Sequence, residues 1–254
     1  MFLRPLLRAY VRHYQVELDE VAAELSDFPT FNDFFTRRLA PGARPVDTRP
    51  GVLVSPCDGI VVSVEEIGAQ GTIGQIKGAR YTVASLLDDP EAASSYVGGH
   101  QVTIYLSPRH YHRVHSPMAA QIRRLRHIPG RCYPVNPWAA SHLDGLYPRN
   151  ERIVFELDGG LDSSLALVMV GAANVARISV AFHKLRSNGG TKGETVDIDG
   201  VSLERGDELG RFNLGSTVVL LLPAGMHFKP TCAVGDDVRM GEGIGRCASL
   251  GKEE

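Results

Sequence analysis

Two hydrophobic periods divide the chain. From Leu3 to Tyr14 the apolar residues Leu3, Leu6, Leu7, Tyr10, Val11 and Tyr14 recur at helical spacing, while Arg4, Arg8 and Arg12 recur every fourth residue along another side. This predicts a basic amphipathic helix, with Pro5 in the first turn or so, where proline is tolerated. The N-terminal stretches to about Leu39 and the segment Val83 to Leu87 also read as helical. Elsewhere the apolar residues run at strand lengths: Val52 to Ile67, Gln101 to Leu106, Arg152 to Leu157, Leu165 to Phe182 divided at Gly171, and Thr217 to Leu222. Asp58-Gly59 reads as a hairpin turn inside the first run, and Asp158-Gly159-Gly160 as the turn joining two later ones. The glycine-rich stretch Asn188 to Gly193 reads as a connecting loop.

The class this implies is α+β, mainly β, with a barrel-sandwich-like core and helices at the N-terminal side. A helical region over residues 1–40 would precede a β-rich domain over residues 41–254. The tail Lys229 to Gly245, with Val234-Gly235-Asp236-Asp237-Val238 and Met240-Gly241-Glu242-Gly243, resembles the hairpins of biotinyl and lipoyl carrier domains. A carrier needs a lysine at a hairpin tip, and Lys229 beside Pro230 suits that poorly.

Composition narrows the function. With 254 residues, 43% hydrophobic and 22% charged, the chain can bury a substantial core. A net charge of -2 argues against a nucleic-acid binder. Cys57, Cys132, Cys232 and Cys247 show neither metal nor redox spacing, which fits a reducing, cytoplasmic setting. No stretch is long and apolar enough to span a bilayer, and the N-terminus lacks the apolar core of a signal peptide. The basic helix suits an anionic membrane surface, or equally a helix packed on its own domain with solvated arginines.

Candidate chemistry is spread over three segments: Ser55-Pro56-Cys57-Asp58-Gly59, then Tyr105 to Pro117 with His110, His112 and His115, then Leu214-Gly215-Ser216-Thr217. They offer a carboxylate, imidazoles and a hydroxyl that must meet in space. A serine hydroxyl that attacks the preceding carbonyl converts the amide to an ester. Elimination then cuts the chain and leaves the serine as a pyruvoyl group. Each short motif also has a plain reading, Gly-Ser-Thr as a turn before a strand and the histidines as a metal cluster. Their spacing fits neither His-Glu-x-x-His nor a Cys-x-x-Cys site, so no metal is expected and zinc is the lesser alternative.

Together these segments resemble those of the phosphatidylserine decarboxylase family. So do Thr30-Phe31-Asn32-Asp33-Phe34-Phe35 with Arg44-Pro45, Gln75-Ile76-Lys77-Gly78 and Arg149-Asn150-Glu151-Arg152, in the same order from about Tyr14 to about Pro223. The resemblance implies a self-processing enzyme whose cofactor is a covalent pyruvoyl group made from Ser216 by cleavage at Gly215-Ser216. A large chain would end at Gly215, and a small one would start at position 216, held by sheet pairing. His115 would be the base for cleavage, Asp58 would hold its tautomer, and His112 would act in decarboxylation. His110 stands where the family's pattern carries an acidic residue.

The reaction implied is decarboxylation of phosphatidylserine to phosphatidylethanolamine through a Schiff base to the pyruvoyl ketone, which drains electrons from the incipient carbanion. A histidine would then supply the proton. The partners would be the lipid, an anionic membrane surface approached from the cytoplasmic side and the two chains of one precursor; a homodimer is left open. The alternatives are a decarboxylase of another serine-headed lipid or of a soluble amino acid, and a non-enzymatic carrier or binding module.

Overall fold

In the computed structural model, which describes residues 3–75, 79–160, 164–172, 177–187, 192–213 and 216–248, the strand readings resolve into one large antiparallel sheet with smaller ones beside it. Nine strands build the large sheet, in the order Glu194–Asp197, Ala120–Ile128, Arg152–Asp158, Leu165–Gly171, Ser216–Leu222, His100–Leu106, Gly59–Glu66 and Asp237–Val238, with Ser202–Leu203 also pairing with Ala120–Ile128. The path is open and does not close into a barrel.

Ser216–Leu222 lies in the middle, paired with His100–Leu106 on one side and Leu165–Gly171 on the other. Successive side chains point to opposite faces of a strand. Val218, Leu220 and Leu222 accordingly enter one hydrophobic cluster with Ile104, Leu167 and Phe155, while Val219 and Leu221 enter another with Val168, Val170 and Tyr147. Burial on both faces is why this segment reads as an unbroken apolar run.

One sequence reading is corrected by this topology. Val52 to Ile67 is not a hairpin. Val52–Val54 pairs with Gly243–Cys247 in a sheet that also holds Phe228–Pro230, whereas Gly59–Glu66 joins the large sheet. Gly59 is needed for close approach rather than for a turn, since a Cβ there would stand 2.6 Å from Ile104 Cγ2 and 2.7 Å from the Tyr105 carbonyl oxygen. In the tail, Lys229 sits within a strand opposite Arg246, not at a hairpin tip.

The helix Leu3–Tyr14 packs inward. Leu7 is fully buried, and Leu3, Tyr10 and Val11 pack with it against Val16, Leu25, Phe28, Phe31 and Phe34. Arg4, Arg8 and Arg12 face outward with Leu6, which is 55% exposed. A second helix, Phe31–Phe35, starts where the Thr30 hydroxyl accepts from the Asp33 amide, and it presents Phe34 and Phe35 to the interior.

Candidate active site

The histidine segment joins the large sheet to a small one. His100–Leu106 runs into Ser107 to His112, and Arg113–His115 then pairs with Glu208–Phe212. Arg113 ties this region to the second helix by donating from Nε and Nη2 to the Thr36 carbonyl, at 3.0 and 2.9 Å, and it pairs with Glu208 at 2.7 Å.

His115 is buried, and both ring nitrogens are engaged. The Gly206 carbonyl lies 2.7 Å from Nδ1 and the Tyr111 hydroxyl 3.1 Å from Nε2. A carbonyl only accepts, so Nδ1 carries the hydrogen and Nε2 the lone pair. Burial pushes the imidazole below its ordinary value, which keeps it neutral and available as a base. The same effect raises the Tyr111 hydroxyl to about 12, so it stays protonated and donates to Nε2. Gly206 holds its carbonyl in place from a left-handed conformation, φ +92°, where a Cβ would stand 2.8 Å from Val46 Cγ2.

Asp58 does not hold the His115 tautomer here, which corrects that expectation. Its oxygens accept from Arg44 Nε and Nη2 at 2.9 and 2.6 Å and from the Met240 amide at 2.9 Å. A planar guanidinium offers a carboxylate two charge-assisted bonds, which an imidazole cannot match. Burial opposes the Arg44 charge, but the hydrogen bonds and charges of Asp58 and Glu20 outweigh it. The Asp58 turn still meets the histidine strand through the His115 amide, which donates to the Pro56 carbonyl at 2.7 Å.

His112 is fully buried beneath Phe35, their ring centroids 3.8 Å apart. Its Nδ1 donates to the His110 carbonyl at 2.7 Å, while its Nε2 has no partner among the described residues. Burial pushes this imidazole well below its ordinary value, and the Arg37 charge adds to the effect. His110 accepts from the Ser107 amide and is lowered by burial to about 4.

Ser216 opens the central strand, its backbone paired with Leu106 and Gly171. Leu214, Gly215 and the Ser216 side chain lie outside the described residues, as do Ile76-Lys77-Gly78 and Asn188 to Thr191. The residues just before are held by the other motifs. The Phe212 amide donates to the His112 carbonyl at 3.0 Å, and Asn32 Nδ2 from the second helix donates to Asn213 Oδ1 at 3.2 Å. Three segments distant in sequence therefore converge at the start of one buried strand.

Comparison with known proteins gives this convergence a family. The sequence model of phosphatidylserine decarboxylase matches residues 31–246, which include all three segments. The chain belongs to the phosphatidylserine decarboxylase family. A phosphatidylserine decarboxylase proenzyme of Myxococcus xanthus is 41% identical over 249 residues, covering 94% of this chain and 85% of that protein. Those of Halorhodospira halophila and Pseudomonas fluorescens are 45% and 40% identical, covering 95% and 96% of this chain and 82% and 87% of their own lengths.

Within this family member, four residues around the site were given no role by the sequence reading: Tyr111, Gly206, Phe35 and Arg37. Tyr111, Phe35 and Arg37 stand inside or beside the quoted motifs, where proximity was the only signal. Gly206 lies in an unmarked turn and becomes visible only once its carbonyl is seen on Nδ1.

Proposed function

We propose that the chain is a precursor that cuts itself at Gly215-Ser216 and then decarboxylates phosphatidylserine to phosphatidylethanolamine. The observation that carries this reading is the family match, which spans both histidines and Ser216, with relatives of similar length named as proenzymes. The site suits the group to be formed, because an imidazole nitrogen buried without a partner among the described residues, His112 Nε2, stands in a segment tied to the residues before Ser216.

In self-cleavage His115 Nε2 takes the Ser216 hydroxyl proton as Tyr111 lets go of that nitrogen. The oxygen attacks the Gly215 carbonyl, His115 passes the proton to the departing Ser216 nitrogen, and the C–N bond breaks to leave an ester. His115, neutral again, takes the Ser216 Cα proton as the Gly215 carboxylate is expelled, and water hydrolyses the imine at the new N-terminus to a ketone and ammonia. Gly206 keeps the hydrogen on Nδ1 throughout. Asp58 acts as a positioning residue, because the Arg44 clamp fixes the turn whose Pro56 carbonyl receives the His115 amide.

The pyruvoyl group supplies an electron sink that no standard side chain provides. The residues around it handle protons. A lipid ammonium must shed a proton before it can react as an amine, and in this reading His112 is the group that hands a proton to the carbon that loses carbon dioxide. Phe35 covers the His112 ring.

Docking at the cytoplasmic face of a membrane, without crossing it, would rest on Arg4, Arg8 and Arg12, which point away from the domain while the apolar stripe packs against it. Among the described residues no helix is long and apolar enough to span a bilayer. The test is intact mass under denaturing conditions, followed by carbon dioxide release from phosphatidylserine and from free serine. Two fragments divided at Gly215-Ser216 and lipid-specific release are expected. An uncut chain without activity, or a cut elsewhere, overturns the reading, and release from serine alone moves it to a soluble amino acid.

A further inference from the structure

Beside Asp58 lies a cleft of about 310 Å³ whose lining includes four arginines, Arg37, Arg44, Arg109 and Arg239. Three of them are matched by carboxylates. Arg44 binds Asp58 and Glu20, Arg239 binds Glu17 and Glu20, and Arg109 binds Asp237. Among the described residues Arg37 has no such partner. It is only 4% exposed, its Nη2 donates to the carbonyls of Arg109 and His110 at 2.9 and 3.2 Å, and its Nε and Nη1 bond to none of the described residues. The Phe34 ring, 5.2 Å from its Cζ, occupies the flat face of the guanidinium and leaves the N–H edge unsatisfied.

A buried cation with idle donors is expensive to keep, and burial accordingly works against the Arg37 charge. Three unused N–H bonds in one plane match the oxygens of a phosphate. We infer that Arg37 is an anion subsite that binds the phosphodiester of the lipid headgroup.

This inference rests on the function proposed above and names the part of the substrate that the cleft holds. The His110 carbonyl that receives Arg37 Nη2 also receives His112 Nδ1, at 2.7 Å, so the subsite and the proton-handling histidine share one atom. In a serine phospholipid only an oxygen and a methylene separate phosphorus from the carbon that loses carbon dioxide, a reach that suits neighbouring sites. The substrate carboxylate is the poorer occupant. Its charge disappears in the reaction, so a cation on it would stabilise the ground state more than the transition state.

The test titrates the purified, self-cleaved protein with inorganic phosphate, glycerophosphoserine and L-serine at fixed ionic strength, following arginine Nε–H resonances and heats of binding. Arg37→Met and Arg37→Lys are compared with Arg124→Gln on the outer sheet. Phosphate and glycerophosphoserine should move the Arg37 resonance, and L-serine should not. Arg37→Met should weaken both anions at least tenfold and raise KM for short-chain phosphatidylserine tenfold or more, with a smaller change in kcat; Arg37→Lys should fall between. Equal phosphate affinity in Arg37→Met, or movement of a different arginine, overturns the subsite. Binding of inorganic phosphate without glycerophosphoserine overturns the headgroup assignment. If Arg37→Met does not fold, the wild-type resonance decides alone. A protein that binds phosphate at Arg37 but never decarboxylates would sink the proposed activity and keep the anion subsite.

Discussion

Replacing Arg44 by methionine in a Ser216→Ala background, where every molecule stays uncut, isolates the Asp58 clamp. The Arg44 and Asp58 side chains are only 7% and 6% exposed, and the pair is bidentate. Removing one partner of a buried ion pair costs about 3–5 kcal/mol, because the other charge is left stranded. Met240 would still donate to Asp58, and Glu20, 18% exposed, can rehydrate. The low end is therefore expected, roughly 3 kcal/mol, or a fall of about 6–12 °C in Tm for a chain of this size. Denaturant unfolding of Arg44→Met, Asp58→Asn and the double variant supplies the check. With Asp58 already neutral no charge is stranded, so Arg44→Met should cost under about 1.5 kcal/mol in that background. Equal costs in the two backgrounds would refute the argument.

Gly206→Ala forces a side chain into φ +92° and against Val46, so it should cost about 1–3 kcal/mol and slow self-cleavage, read as persistence of the uncut band on a gel; cleavage at the parent rate would detach Gly206 from His115. Tyr111→Phe frees His115 Nε2 and should leave self-cleavage as fast or faster, while a large loss would give the hydroxyl an active part. His112→Ala should still cut but lose turnover, and an uncut protein would show that the two histidines have been divided wrongly. His110 is held neutral with its value lowered from 6.5 to about 4, so the unfolded chain binds more protons across that window and stability should fall as pH drops from about 6.5 towards 4. His110→Gln should flatten that slope, and an unchanged slope would place its source elsewhere.

How much of this was legible in the sequence depended on whether a residue acts through its own pattern or through a distant partner. The central strand was visible, because burial on both faces leaves only apolar residues. Ala120–Ile128 was not, because Gln121 and Arg123 point to solvent on either side of Ile122 and the arginines masked a period of two. Asp58-Gly59 looked like a turn since glycine after aspartate usually is one; here the glycine lets the Tyr105 backbone approach, a contact 46 residues away that no local pattern encodes. The histidines were found, but their hydrogen-bond partners were not. Gly206 is 91 residues from His115, and the choice of Arg44 over His115 by Asp58 is settled by geometry in the folded state.

The place of Ser216–Leu222 in the large sheet also dictates the order of events in the life of the molecule. Both edges of this strand are taken by segments made earlier, and both its faces are covered. A fragment beginning at residue 216 and synthesised by itself would carry an apolar strand with two bare edges into water, which is a recipe for aggregation. Folding must therefore come first and cutting second, and the two pieces have no soluble route back to one another once unfolded. Self-cleavage turns a reversible fold into a one-way assembly, so denaturation of the processed protein should be irreversible where that of the uncut precursor is not.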